Sequence, residues 1–122
     1  MSQIKQVIVM RKDLNMRRGK EIAQGAHASM AFLSIKAQDA TPISAVEREW
    51  LEGTFTKVCV RVNSEAELDQ VAAAARQDGL QVSVITDSGK TEFGGVPTKT
   101  CLAIGPDLAE KVDRITGALS LY

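Results

Sequence analysis

Three polar side chains, Lys20, Gln24 and His27, recur at steps of four and three residues. At about 100° per residue such spacing draws one stripe along a helix. His27 is the sole histidine. As a neutral imidazole it can orient a water, shuttle a proton or stack on a base; packing between helix and sheet is the plain alternative. Lys20 follows a connection that holds Arg11, Lys12, Arg17 and Arg18 against one acid, Asp13. Free backbone N–H groups and the positive end of the helix dipole make such a connection a ready phosphate site. A lysine in the first helical turn opposes that dipole, which fits a role in holding an anion. A surface lysine tolerated at small cost is the commoner case. Gln24 would bind a backbone group or a substrate amide, or add surface polarity.

A second set gathers in residues 87–98, a loop rich in glycine and short polar side chains that also carries Lys90. Asp87 stands at the expected end of a strand, where a carboxylate can hold a water or orient a lysine. Thr91, Thr98 and Thr100 offer hydroxyls for a carbonyl or an oxyanion. A turn-starting aspartate and strand-flanking threonines are the ordinary alternatives. Gly89-Lys90-Thr91 imitates the end of a phosphate-binding P-loop, but that motif needs glycine five residues earlier, where Val84 stands. The stretch also leads to Pro97 instead of opening a helix, and no G-x-S-x-G nucleophile elbow occurs.

The elements that must position these groups follow from periodicity and punctuation. Residues 4–10 form a Val/Ile-rich buried strand. A helix is expected over residues 20–38, with Ile22, Ala26, Ser29, Met30, Leu33 and Ala37 on its packed face and the Lys20 stripe nearly opposite Ile22. A second helix spans residues 43–52, capped by Thr41 before Pro42 and anchored by Trp50. A strand over residues 55–62 precedes a helix that Ser64 and Glu67 open as a capping box and that ends near Gln77. Strands follow at residues 82–86 and 98–104. Gly105-Pro106 then turns the chain, and Asp107 caps a last helix to about residue 115. The order β-α-α-β-α-β-β-α predicts one three-layer α/β/α domain over residues 1–122 with a mixed four-stranded sheet. Ligands of open α/β sheets gather beyond the strand ends, so the two loops are expected to meet in one cleft.

Composition narrows the function. Fifteen Lys and Arg balance fifteen Asp and Glu, which argues against a protein that coats nucleic acid in bulk. A local basic patch on a neutral chain instead suits transient contact with a few phosphates. With 44% hydrophobic but only 4% aromatic residues, the core must come from Val, Ile, Leu and Ala. Cys59 and Cys101 lie in apolar runs and form no metal-ligand cluster, so a reduced cytoplasmic protein without metal is expected. The N-terminus is too quickly charged for a signal peptide, and no run nears the roughly 18 apolar residues of a membrane span.

Five blocks in order resemble the type-2 (archaeal/eukaryotic-type) peptidyl-tRNA hydrolase family, in the form of a bacterial-like member. They are Lys5 to Leu14 with Arg18-Gly19-Lys20 and Ala23-Gln24-Gly25-Ala26-His27-Ala28; Lys57-Val58-Cys59-Val60 before Ser64; Asp87-Ser88-Gly89-Lys90-Thr91-Glu92; Thr98-Lys99-Thr100 leading to Ala103-Ile104-Gly105-Pro106; and Asp113-Arg114-Ile115-Thr116-Gly117. Ser88 stands where the family usually has alanine, and the 93–97 loop differs from the family's Pro-Gly stretch. The resemblance implies hydrolysis of the ester between a peptidyl group and the tRNA 3′ end, with no cofactor or essential metal. It implies roles for Lys20, Gln24, His27, Asp87, Thr91 and Thr98. Lys20 would hold a phosphate or the transition-state charge. Asp87 would help activate water, Thr91 and Thr98 would bind the carbonyl or oxyanion, and His27 would position. Arg11, Lys12, Arg17, Arg18 and Lys90 would join Gln24 in binding substrate. Thr98 and Thr100 both stand as the working hydroxyl. The expected partner is peptidyl-tRNA, with a homodimer as the alternative to a monomer and no membrane. Two rivals are a non-catalytic RNA- or protein-binding module on the same fold and a hydrolase for another ester or a modified aminoacyl-tRNA.

Overall fold

Successive residues of β1 (Ile4–Arg11) enter two different cores, which explains why its apolar run hardly alternates. Val7 and Val9 join one cluster, and Ile8 and Met10 the other. The computed structural model describes residues 3–90 and 92–122. After β1 come α1 (Arg18–Asp39), α2 (Ala45–Glu52), β2 (Lys57–Val62), α3 (Glu65–Gln77), β3 (Val82–Asp87), β4 (Thr98–Leu108) and α4 (Ala109–Thr116). This is the expected order. The sheet order is β2-β1-β4-β3. β1 runs parallel to β2 and antiparallel to β4, which pairs antiparallel with β3. The sheet is therefore mixed, as expected.

One face packs Val60, Val62, Leu102 and Ile104 against Leu68, Ala72 and Ala75 of α3 and Val112 of α4. The other face receives α1, where Met10, Cys101 and Ala103 meet Ala28. Small residues let this helix approach: a Cβ at Gly25 would lie 3.7 Å from Met10 Cε. Trp50, 2% exposed, joins Phe32 and Ile4 and donates its indole N–H to the Thr56 carbonyl at 2.8 Å, which anchors α2.

Four expectations are corrected. The packed face of α1 is Gln24, Gly25, Ala28, Ser29 and Phe32, while Ile22 and Met30 are 66% and 61% exposed. Lys20 and Gln24 of the polar stripe turn inward while His27 stays exposed, because the sheet offers partners to the first two in Asp87 and Thr100. Ser29 donates to Gln6 Oε1 at 2.5 Å, and Gln6 Nε2 donates back to the Ser29 carbonyl at 3.0 Å. α2 is capped by Ser44, not Thr41; Ser44 accepts from the Glu47 N–H at 3.2 Å and Glu47 returns a bond to the Ser44 N–H at 2.8 Å. Phe55 lies outside β2, at φ 57°. Finally, β4 passes through Gly105-Pro106 instead of turning, and Asp107 pairs with Lys5 instead of capping α4. The irregularity between Lys5 and Val7 takes up one extra residue of β4, and Gly105 adopts φ 86°, where a Cβ would lie 2.8 Å from the Asp107 nitrogen.

Candidate active site

Arg11 closes β1 with a buried side chain. Its Nε and Nη2 donate to the Asp13 carboxylate at 3.1 and 2.7 Å, and its Nη1 donates to the Lys99 carbonyl at 3.0 Å. The fork ties the first connection to the start of β4. The Arg11 hydrogen bonds hold the Asp13 carboxyl below its ordinary range. Arg17 then forms the extended cap of α1, with no side-chain hydrogen bond to the helix.

One turn in, Lys20 Nζ donates to Asp87 Oδ1 at 2.8 Å. Both side chains are largely sheltered, at 15% and 12% exposure. Gly89 N–H donates to the other oxygen, Oδ2, at 2.9 Å. The Lys20 bond and then the Gly89 bond hold the Asp87 carboxyl below its usual range. Gly89 sits at φ 82°, where a Cβ would come within 2.2 Å of the Val96 carbonyl oxygen, so only glycine fits this turn. The Phe93 ring lies 5.8 Å from the ammonium and sides the pair with an aromatic face.

A β-bulge brings threonines to the same place. Ile85 pairs with Cys101 but Thr86 pairs with Lys99, so Thr100 is the extra residue. Asp87 thereby comes opposite Thr98. Both Thr100 and Cys101 turn toward α1: Thr100 donates to Gln24 Oε1 at 2.5 Å, and Cys101 Sγ contacts the Gln24 carbonyl at 3.4 Å. Bulges beside a site re-aim side chains in this manner. Lys20 and Gln24, one turn apart, thus meet Asp87 and Thr100 as two adjacent polar rungs. Gln24 is buried, and its amide nitrogen has no hydrogen-bond partner among the described residues. Thr98 donates its hydroxyl to the Val96 carbonyl at 2.8 Å, which leaves its lone pairs open. Thr100 is fully buried and engaged.

The structure therefore joins Lys20, Asp87 and Thr98, with Gln24 on the next rung. His27 is exposed and stands two turns on, about 10 Å along the axis, in a groove between α1 and β3. Lys12, Arg17, Arg18 and Lys90 are exposed at the sheet end where β1 and β3 finish and β4 begins. Thr91 lies outside the described residues. Two contributors had escaped sequence reasoning, the Gly89 N–H and the Phe93 ring. The first has a local signal, since an aspartate followed two residues on by glycine favours a side-chain-to-backbone turn. The second has none beyond an isolated aromatic in a polar loop.

The chain has relatives that match it over nearly its whole length. A protein 44% identical over 119 residues, covering 98% of this chain and 100% of its own length, is the peptidyl-tRNA hydrolase of Haloquadratum walsbyi. The peptidyl-tRNA hydrolase of Methanocaldococcus jannaschii is also 44% identical, over 97% of this chain and 99% of its own. That of Aeropyrum pernix is 43% identical, covering 97% and 95%. A solved structure of a protein of unknown function from Agrobacterium tumefaciens strain C58 superposes with a TM-score of 0.61 at 12% identity, over 100% of this chain and 99% of that one, a likeness of fold alone. The model of the family described as peptidyl-tRNA hydrolase PTH2 matches residues 4–122, and the chain belongs to that family.

Proposed function

We propose that this protein hydrolyses the ester between a peptidyl group and the tRNA 3′ end, recycling tRNA from abandoned translation, and that the Lys20–Asp87 pair carries the chemistry. The observation behind the assignment is that sheltered pair, 2.8 Å apart, at the rim where four exposed cations cluster.

Water adds to the ester carbonyl, and the charge that develops on its oxygen needs a fixed cation. Lys20, pinned by Asp87 and sided by Phe93, supplies it. Asp87 orients the water. Thr98, opposite Asp87, exchanges its bond to Val96 for one to the substrate. Thr91 shares that role in the resemblance. Collapse of the intermediate breaks the bond to the 3′ oxygen, which takes up one proton of the water while the other leaves to solvent, giving a peptide carboxylate and a free tRNA 3′ hydroxyl. Gln24, whose oxygen is engaged by Thr100, offers its amide N–H groups to the substrate. Arg11 is committed within the protein and holds the connection, while Lys12, Arg17, Arg18 and Lys90 meet phosphates. His27 positions substrate beyond the reacting bond.

Purified protein is expected to release tRNA from an N-acetylated aminoacyl-tRNA. Lys20→Ala and Asp87→Ala should each lower kcat/KM by at least about tenfold, roughly 1.4 kcal/mol of barrier. Full activity in either variant would remove the pair from the mechanism. Folded wild type without activity would favour the RNA- or protein-binding module.

A further inference from the structure

The substrate of such an enzyme has two unlike limbs, a polyanionic RNA and a peptide of arbitrary sequence. Beside the Lys20–Asp87 pair lies a groove of about 700 Å³ between α1 and β3. Ala23, His27 and Ser34 line it from the helix, and Ser83 and Ile85 from the strand. Ala23 is one turn from Lys20 and Ile85 two residues from Asp87, so the near end of the groove adjoins the pair without being lined by it. Among the described residues, no Asp, Glu, Lys or Arg lines it. A neutral peptide fits such walls, whereas an RNA backbone does not. The larger groove on the opposite side of α1, about 870 Å³, is bordered by Arg18, Glu21 and Lys57, and the Tyr122 hydroxyl crosses it to bond Glu21.

β3 is also an edge strand. Gly105 N–H donates to the Gln81 carbonyl, and antiparallel pairs alternate. The N–H and C=O groups of Val82 and Val84, two registers of Ile104 and Leu102, therefore turn outward. An extended chain can add to such an edge through main-chain bonds that ignore side-chain identity. We propose that the peptide limb of the substrate docks here as an added strand, an assignment that rests on Lys20–Asp87 being the ester site. With its C-terminal carbonyl at Asp87 and its N-terminus toward Val82, the peptide runs parallel to β3. At about 3.3 Å per residue, the strand accommodates about five peptide residues. The open edge thus holds the limb that must be recognised without sequence preference.

The test compares kcat/KM for N-acetyl-aminoacyl-tRNA and for an N-acetylated, uncharged pentapeptidyl-tRNA, on wild type and Val84→Pro. Wild type should favour the longer substrate by about fivefold or more, through KM, as expected for one or two main-chain bonds. Proline at position 84 deletes an outward N–H and spares the β3–β4 ladder, so that preference should fall to within about twofold of unity. A scan of single backbone N-methyl groups along the pentapeptide, on wild type alone, gives a readout independent of variant folding. Losses at alternate positions support the added strand. Equal rates on both substrates, or a length preference that survives both Val84→Pro and the methyl scan, overturn it while leaving the hydrolase reading intact. Failure to cleave either substrate overturns the hydrolase reading itself.

Discussion

Asp87 is a carboxylate whose neighbours all favour charge. Lys20 donates to one oxygen and Gly89 to the other, and together they hold its pKa below the ordinary 3.8. A base made that weak accepts a proton poorly at neutral pH. Its contribution is then orientation of water and restraint of Lys20, with the barrier lowered mainly by electrostatics. The sign follows directly. Because the folded pKa is depressed, Asp87 gives up its charge only in more acid solution than an ordinary aspartate does. The kcat/KM profile of wild type should show no acid limb due to Asp87 above about pH 5. An acid limb between about pH 5 and 7 that vanishes in Asp87→Asn would show that Asp87 is the proton acceptor and that the pair is looser in solution.

At the scale of elements, α1 shows what the sequence concealed. Ile22, Ala26 and Met30 recur at helical spacing, and hydrophobicity alone turns them inward. The sheet face beneath α1 instead carries Gln6, Thr100 and Asp87, so the Lys20–Gln24–Ser29 side wins by satisfying buried polar groups. Those partners lie 23 to 76 residues away in the chain, and no local period encodes them. Strand and helix order was legible because β-branched runs and glycine punctuation are local. Lys20, Asp87 and Thr98 were legible as residues near loops; the Thr100 bulge that aligns Thr98 with Asp87 was not. β4 continued past Gly105-Pro106 for the same reason, since the partner that holds Asp107 in the strand is Lys5. The far end of α1, where Lys36 meets Glu47 of α2, offers a test. Glu47, 4% exposed, is raised by burial but lowered more by Lys36 and the Ser44 N–H, and ends below 4.5. Glu47→Gln keeps the shape and strands the Lys36 ammonium. It should cost about 1–3 kcal/mol at pH 7 in chemical denaturation. A depressed folded pKa means that this stability exists above 4.5 and is lost as pH falls through the folded value. The gap between wild type and Glu47→Gln should therefore narrow in acid. A gap that stays constant from pH 7 to about pH 3 would mean that the charge of Glu47 is not what stabilises the fold.

For the whole molecule, zero formal charge and a nucleic-acid substrate are compatible only if charge is segregated. Lys12, Arg17, Arg18 and Lys90 converge at one end of the sheet because β1 and β3 stop there and α1 and β4 begin. Lys111 of α4 sits with the layer on the other sheet face and is exposed. Binding of deacylated tRNA should consequently be modest in affinity and shallow in salt dependence. Each phosphate contact adds about 0.7 to 0.9 to the slope of log K against log salt. Replacing both Arg17 and Arg18 by alanine should reduce that slope by about 1.4 to 1.8. Lys111→Ala should leave it unchanged, although it removes one positive charge from the same neutral total. The comparison separates local contact from the overall field, because a field effect would respond to either change in proportion to charge. Equal slopes in the double variant and wild type would move the RNA off the Arg17–Arg18 rim. Lys57, exposed at the opposite end of the sheet, would then be the next cation to test.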